Sequence, residues 1–119
     1  MNTFSETIKA AIYAGGATWD ADMRPIRFKD GYMISLPGYE TRHGKDDIAG
    51  IVDAVERLRR SYRLNLQPAI TYIGLWTDGG EVFIDLSFRE TRRESAITAG
   101  KAYKQKAIFD LKAGESIRL

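Results

Sequence analysis

The residues whose types and spacing could support chemistry concentrate in the passage GLWTDGGEVFIDLS, residues 74–87. An Asp-Gly-Gly triplet at residues 78–80 is followed by two further carboxylates, Glu81 and Asp85. A glycine loop of this kind can bind phosphate through backbone amides, and nearby carboxylates can bind a metal. The lysine and serine of a phosphate-binding loop are missing, however, and a strand pattern follows where that loop requires a helix. We therefore interpret residues 78–80 as the turn of a β-hairpin.

Other polar residues that could act in catalysis have simpler explanations. His43 is the single histidine and fits neither zinc-ligand nor triad spacing, so we interpret it as a solvent-exposed loop residue. Asp20 and Asp22 resemble the start of a calcium loop, but Gly31 stands where that loop has its closing glutamate, which favours a plain turn. The chain has no cysteine and no G-x-S-x-G motif. We predict that the protein is not an enzyme and uses no metal or cofactor.

Carboxylate pairs offer one more route to catalysis. Asp53, Glu56 and Glu94 lie on predicted helix surfaces, where neighbouring arginines explain them as ion-pair partners. Asp85 alternates with apolar neighbours in the second strand of the hairpin, which predicts that its side chain lies on the exposed face. None of these residues identifies an active site.

Two groups of arginines remain as candidate binding residues. One group crowds the end of a predicted helix and the other crowds the start of the next helix: Arg57, Arg59, Arg60 and Arg63, then Arg89, Arg92 and Arg93. Cations stabilise a helix C-terminus but are disfavoured at an N-terminus, so helix stability explains only the first group. We predict a partner-binding site at the second group, extended by Arg57 and Arg60, which point away from the apolar face of their helix. Phosphate or an acidic protein surface is the expected partner.

The pattern of apolar residues predicts the elements that position these side chains. We predict helices over residues 4–14, 46–64 and 90–105, and strands over residues 32–36, 70–77, 82–88, 107–111 and 116–119. Thr3 and Glu6 form a capping box at the start of the first helix. The second helix has an apolar stripe from Ile48 to Tyr62, and its surface offers the ion pairs Asp53–Arg57 and Glu56–Arg60. In the third helix, small residues around Gly100 allow a close approach to the sheet.

This order of elements predicts one α+β domain over residues 1–119, with about three helices packed on a mostly antiparallel sheet. The 119 residues carry 18 basic and 16 acidic side chains, so the net charge of +2 does not by itself indicate nucleic-acid binding. The sequence has no apolar run long enough to cross a bilayer, and its N-terminus lacks the pattern of a signal peptide. We therefore expect a cytoplasmic protein.

Several blocks of the sequence resemble short accessory proteins of bacteriophages and mobile elements. These blocks are residues 31–40 (GYMISLPGYE), residues 73–87 (IGLWTDGGEVFIDLS), and residues 99–101 (AGK) followed by residues 105–111 (QKAIFDL). Some small phage proteins of this size and α+β build inhibit bacterial defence, including anti-CRISPR proteins that bind a Cas nuclease. The resemblance implies a binding inhibitor acting in a bacterial host, with a Cas9-type effector as the first candidate partner, and supplies no active-site residues.

A second hypothesis follows from the arginine groups alone. A small accessory protein could use them to bind nucleic-acid phosphates, although the chain contains no recognition motif for bases. The sequence leaves both hypotheses open.

Overall fold

The computed structural model describes residues 4–65 and 71–119, with side chains described up to residue 61 in the first range. Three helices lie in this part of the chain: α1 (Phe4–Ala14), α2 (Ile48–Asn65) and α3 (Arg93–Ala102). Seven strands accompany them: β1 (Gly16–Trp19), β2 (Tyr32–Ser35), β3 (Thr41–Gly44), β4 (Thr71–Asp78), β5 (Glu81–Glu90), β6 (Ala107–Asp110) and β7 (Glu115–Arg118). The predicted α+β class is confirmed.

All seven strands form one antiparallel sheet in the order β1-β4-β5-β2-β6-β7, with β3 also paired to β5. β4 and β5 pair from Thr71–Phe88 to Asp78–Glu81, which makes them the central hairpin. On the other side of β5, β3 pairs with its first half and β2 with its second half. β5 therefore has hydrogen-bonded neighbours on both sides along nearly its whole length.

The three helices cover one face of the sheet. Ile8 of α1 and Ile51 and Val55 of α2 are fully buried against the apolar side chains of β4 and β5, among them Ile73 and Ile84. A second cluster joins Ala96 of α3 to Ile34 and Ile108. Gly100 brings α3 close to the sheet, since a Cβ there would lie 2.8 Å from a methyl of Ile108. The core thus lies entirely between the helices and one face of the sheet.

Most predicted elements are confirmed, and α1 has the predicted bounds. The predictions for Thr3, Tyr62 and Ile70 concern residues or side chains outside those that the structure describes. The Asp53–Arg57 ion pair forms, with a separation of 2.9 Å, but the prediction for Glu56 is wrong, because Glu56 pairs with Arg59 at 2.8 Å.

The predicted start of the third helix is also wrong, because Arg89 and Glu90 extend β5 instead. Both residues pair with β2, opposite Met33 and Tyr32. Strand pairing contributed by a distant segment outweighs the good helix propensity of arginine and glutamate. The helix begins at Arg93, with Arg92 as its N-cap residue in an extended conformation.

The segment from residue 20 to residue 31 connects β1 to β2, which lie three places apart in the sheet. Phe28 packs edge-to-face on Tyr72 of β4, with ring centroids 5.2 Å apart, and the Arg89 guanidinium of β5 lies 4.6 Å from the Phe28 ring. Tyr72 and Arg89 belong to the strand positions that point away from the helices. This crossing segment (residues 26–31) therefore passes over the helix-free face of the sheet.

The hairpin turn yields a stability prediction. Gly79 and Gly80 have φ angles of 56° and 84°, so both occupy the left-handed region that a β-branched residue rarely adopts. We expect Gly80→Val to lower the free energy of unfolding by about 1–3 kcal/mol through backbone strain. Urea denaturation of the purified variant measures this loss.

Gly44→Val is the matched control. Gly44 lies at the end of β3, a Cβ there would have no neighbour within 4 Å, as at Gly80, and its φ angle is outside the left-handed region. We expect little loss of stability for this variant. Equal losses for both variants would show that the turn conformation is not the source of the effect.

Candidate functional site

The helix-free face of the sheet contains a groove of about 730 Å³. Its floor consists of small and polar residues from four adjacent strands, namely Gly16, Thr18, Ser35, Gly74, Asp85 and Ser87. Residues 25–27 line one edge, and Met33 and Phe109 extend the lining across β2 and β6. The groove thus combines a polar floor with partly apolar walls.

Asp85 lies at the centre of this floor and is only 6% exposed. The Ser35 hydroxyl donates a hydrogen bond of 2.6 Å to Asp85 Oδ2. The other carboxylate oxygen lies above Gly74, the residue paired with Asp85 in β4, and a Cβ on Gly74 would be 2.5 Å from Oδ1. The missing side chain at position 74 therefore provides the space in which this carboxylate lies.

Burial shifts the protonation equilibrium of Asp85. Desolvation raises the pKa of its carboxyl from 3.8 to about 6, and the nearby charge of Glu40 acts in the same direction. Hydrogen bonding from Ser35 and from the Trp76 indole favours the ionised form and offsets part of the increase in pKa. Near neutral pH the groove floor therefore carries a mostly ionised carboxylate that is costly to bury.

The side chain of Trp76 lines the groove next to Asp85. Trp76 stacks on Phe83 with ring centroids 4.1 Å apart and an interplanar angle of 8°. The Arg42 guanidinium lies 5.4 Å from the Phe83 ring centroid on the neighbouring strand. This ladder holds the indole in a fixed orientation, while Trp76 remains 40% exposed.

The structure separates the arginines that the sequence groups together. Arg89 points over the helix-free face, where its Nη2 lies 2.6 Å from Asp30 Oδ1 and its Nε donates to the Asp30 carbonyl oxygen. Arg57 is paired with Asp53. Arg59 is paired with Glu56 and donates to the Ala21 carbonyl oxygen. These three arginines contribute to intramolecular contacts, and the side chain of Arg63 is outside those described.

Arg60, Arg92 and Arg93 differ, because they are exposed and have no acidic partner among the described residues. The topology directs the C-terminal half of α2, which contains Arg60, and the first turn of α3 toward the same end of the sheet. α2 follows β3, which ends beside the hairpin turn, and precedes β4, whose first residue, Thr71, pairs with Phe88 near the end of β5. We name Arg60, Arg92 and Arg93 the arginine end.

The remaining sequence candidates have local structural roles. His43 is not in a loop but in β3, where its Nε2 lies 2.9 Å from Thr41 Oγ1 and its side chain is only 13% exposed. Asp20 forms a turn, because its Oδ1 accepts from the backbone N–H groups of Asp22 and Arg24 at 2.9 Å each. Within residues 4–65 and 71–119, no cluster of three or more His, Asp or Glu residues is arranged to hold a metal ion.

The prediction that Asp85 lies on an exposed face is wrong. Alternation correctly assigns Asp85 to the face opposite Ile84 and Leu86, but it does not show that the side chains of Trp76 and Ser35 cover the carboxylate. The sequence contains a signal of this burial. Large apolar residues occur on both faces of β5, because Phe83 shares a face with Asp85 while Ile84 and Leu86 lie on the opposite face. That pattern is typical of a strand buried on both faces.

No protein-family model, no curated protein and no solved structure matches this chain. None of the helices that the structure describes is both long and apolar enough to cross a bilayer.

The raised pKa of Asp85 gives a prediction for stability against pH. The folded state binds this proton more tightly than the unfolded state, so ionisation of Asp85 reduces stability as pH rises from about 4 through about 6. A rise in pKa from 3.8 to about 6 corresponds to a loss of about 3 kcal/mol in the free energy of unfolding. Asp85→Asn has no carboxyl group to ionise. The unchanged protein should therefore lose about 3 kcal/mol of stability relative to this variant as the pH rises from about 4 to about 7.

Urea denaturation of both proteins across this pH range measures the difference, in which contributions from other carboxylates cancel. Asp78→Asn, at the exposed hairpin turn, is the matched control and should show a flat difference. A flat difference for Asp85→Asn as well would contradict the raised pKa.

Proposed function

We propose that this chain is a non-catalytic binding protein that uses the arginine end to occupy an acidic surface on a protein partner. The first candidate partner is a nuclease of a bacterial defence system, such as a Cas9-type effector, met in the cytoplasm of the host. The observation that carries the proposal is the exposure of Arg92 and Arg93, which have no acidic partner within the described part of the chain, whereas Arg57 and Arg89 are paired within the fold.

Folding does not account for the position of these two arginines. Arg92 is the N-cap residue of α3 and makes no side-chain cap hydrogen bond, and Arg93 lies in the first turn. A cation at a helix N-terminus is unfavourable by roughly 0.3–1 kcal/mol, and Glu94 in the same turn offsets only part of this. A guanidinium forms two parallel hydrogen bonds with a carboxylate, so an acidic partner surface would convert an unfavourable position into a favourable contact.

The resemblance to phage accessory proteins supports the choice of partner. An inhibitor that acts by occupying a surface of a nuclease needs no catalytic residues. A rigid sheet with two exposed arginines at one end is suited to this mode of action, because little side-chain or loop ordering is required on binding.

Interference assays in bacteria test the proposal. The gene is co-expressed with each of a panel of CRISPR and restriction systems, and plasmid or phage survival is counted. We expect protection against at least one system, and loss of that protection in a variant with Arg92→Glu and Arg93→Glu. The double variant should be at least as stable as the unchanged protein, since negative charges are favourable at a helix N-terminus, and should bind the partner at least about tenfold more weakly.

A variant with Lys9→Glu and Lys45→Glu is the control, because it makes the same change in net charge at exposed positions outside the arginine end. It should protect as the unchanged protein does. Normal protection by the arginine variant would overturn the assignment of the surface, and protection against no system would overturn the assignment of the partner class.

Nucleic-acid binding is the second candidate function, and the placement of Arg60 toward the same end as Arg92 and Arg93 favours it. About three phosphate contacts would make the binding strongly salt-dependent. Between about 50 and 200 mM salt, the affinity for a duplex of arbitrary sequence should fall roughly 40-fold. Fluorescence anisotropy measures this fall, and binding that is absent, or insensitive to salt, would exclude this function.

A further inference from the structure

We propose that the groove on the helix-free face of the sheet is a binding site for a small organic ammonium ligand, in which Asp85 receives the ammonium group and Trp76 contacts the ligand body. This site is separate from the arginine end and does not depend on the proposed function.

The dimensions of the groove suit a small molecule. Its volume of about 730 Å³ lies within the range of roughly 300–1,000 Å³ that is typical of ligand sites. The crossing segment lines it through Ile26 and Arg27, and Trp76, which is stacked on Phe83, also lines it. A partly apolar cavity with a few convergent polar groups is the usual composition of such sites.

The negative charge of Asp85 on the floor of the groove favours a ligand with a positive charge. Asp85 accepts a hydrogen bond from the neutral Ser35 hydroxyl, and no lysine, arginine or histidine of the described residues forms an ion pair with it. An ionised carboxylate has about four acceptor positions, so positions remain for an N–H donor after the Ser35 hydroxyl and the Trp76 indole have bound. A protonated amine would supply both the missing positive charge and the donors.

The aromatic residues favour a ligand cation attached to an apolar body. Trp76 and Phe109 both point away from the helices and are 40% and 41% exposed. Exposed indole and phenyl faces attract both ammonium groups and aromatic rings. Because stacking on Phe83 already fixes the Trp76 ring, binding would require little reorganisation of this wall.

Glycines keep the floor open beside Asp85. A side chain at Gly74 would displace the Asp85 carboxylate, and a Cβ at Gly16 would lie 2.9 Å from the Leu75 carbonyl oxygen. Gly16 pairs with Trp76 in the sheet, so both glycines flank the indole. Arg27 lies at the rim, where water screens its charge.

Matched probes test this proposal on the unchanged protein. Phenethylamine and tryptamine are compared with their neutral counterparts, 2-phenylethanol and tryptophol, by two-dimensional ¹H–¹⁵N NMR titration at neutral pH. We expect the amines to shift the indole N–H of Trp76 and the amides of Gly16 and Gly74. The indole N–H of Trp19, which is 2% exposed, should remain unshifted and serves as the internal control.

The neutral counterparts should bind at least about tenfold more weakly. Amines that leave Trp76 and Gly74 unshifted at millimolar concentration would overturn the proposal, and so would alcohols that bind as well as the amines. This comparison needs no variant, so it decides the proposal even where a substitution prevents folding.

Substitution then tests the role of the carboxylate. Asp85→Asn keeps the size of the side chain and its ability to hydrogen-bond with Ser35, and we expect it to weaken amine binding at least about tenfold. Asp78→Asn removes an exposed carboxylate from the end of the same hairpin and should leave amine binding unchanged. Equal amine affinity in Asp85→Asn and the unchanged protein would show that Asp85 does not receive the ammonium group.

Discussion

The structure depends on β5, because this strand occupies the middle of the sheet and is buried on both faces. Residues 82–87 are all buried, and β4 pairs along one side while β3 and β2 pair along the other. The turn at residues 78–80 fixes the register of β5 against β4. A slip of one residue would move the core side chains to the groove and Asp85 into the helix core. The packing of the helices and the polarity of the groove therefore share a single constraint.

Patterns within short stretches of sequence are sufficient to predict the helices and turns that neighbouring residues determine. The spacing of apolar residues predicted α1 and α2, and the Asp-Gly-Gly triplet predicted the hairpin turn. The start of α3 was missed because residues 89 and 90 have good helix propensity, and only their pairing with β2, more than fifty positions away in the chain, makes them a strand. No window of sequence around Arg89 contains that partner.

The candidate sites were harder to predict, because their properties depend on which side chains meet. The sequence divides seven arginines into two groups but does not show which of them are paired. In the fold, Asp30 and Phe28 bind Arg89 and Glu56 binds Arg59. Alternation assigned Asp85 to the correct face but could not show what covers that face. Gly74 is the informative residue in retrospect, since a glycine in the interior of a strand often marks a close approach, and here the approaching group is the Asp85 carboxylate.

The groove carboxylate is not required by the architecture. The turn already sets the register of the hairpin, so Asp85 is not needed to specify it, and an apolar residue at position 85 would avoid the desolvation of a charge. Because burial raises the pKa of Asp85, its ionisation near neutral pH lowers stability by an amount on the order of a few kcal/mol, against the roughly 5–15 kcal/mol by which a domain is stable. Arg92 and Arg93 at the N-terminus of α3 are also unfavourable for folding, by a smaller amount. Where a sequence keeps residues that folding disfavours, contact with another molecule is the expected explanation.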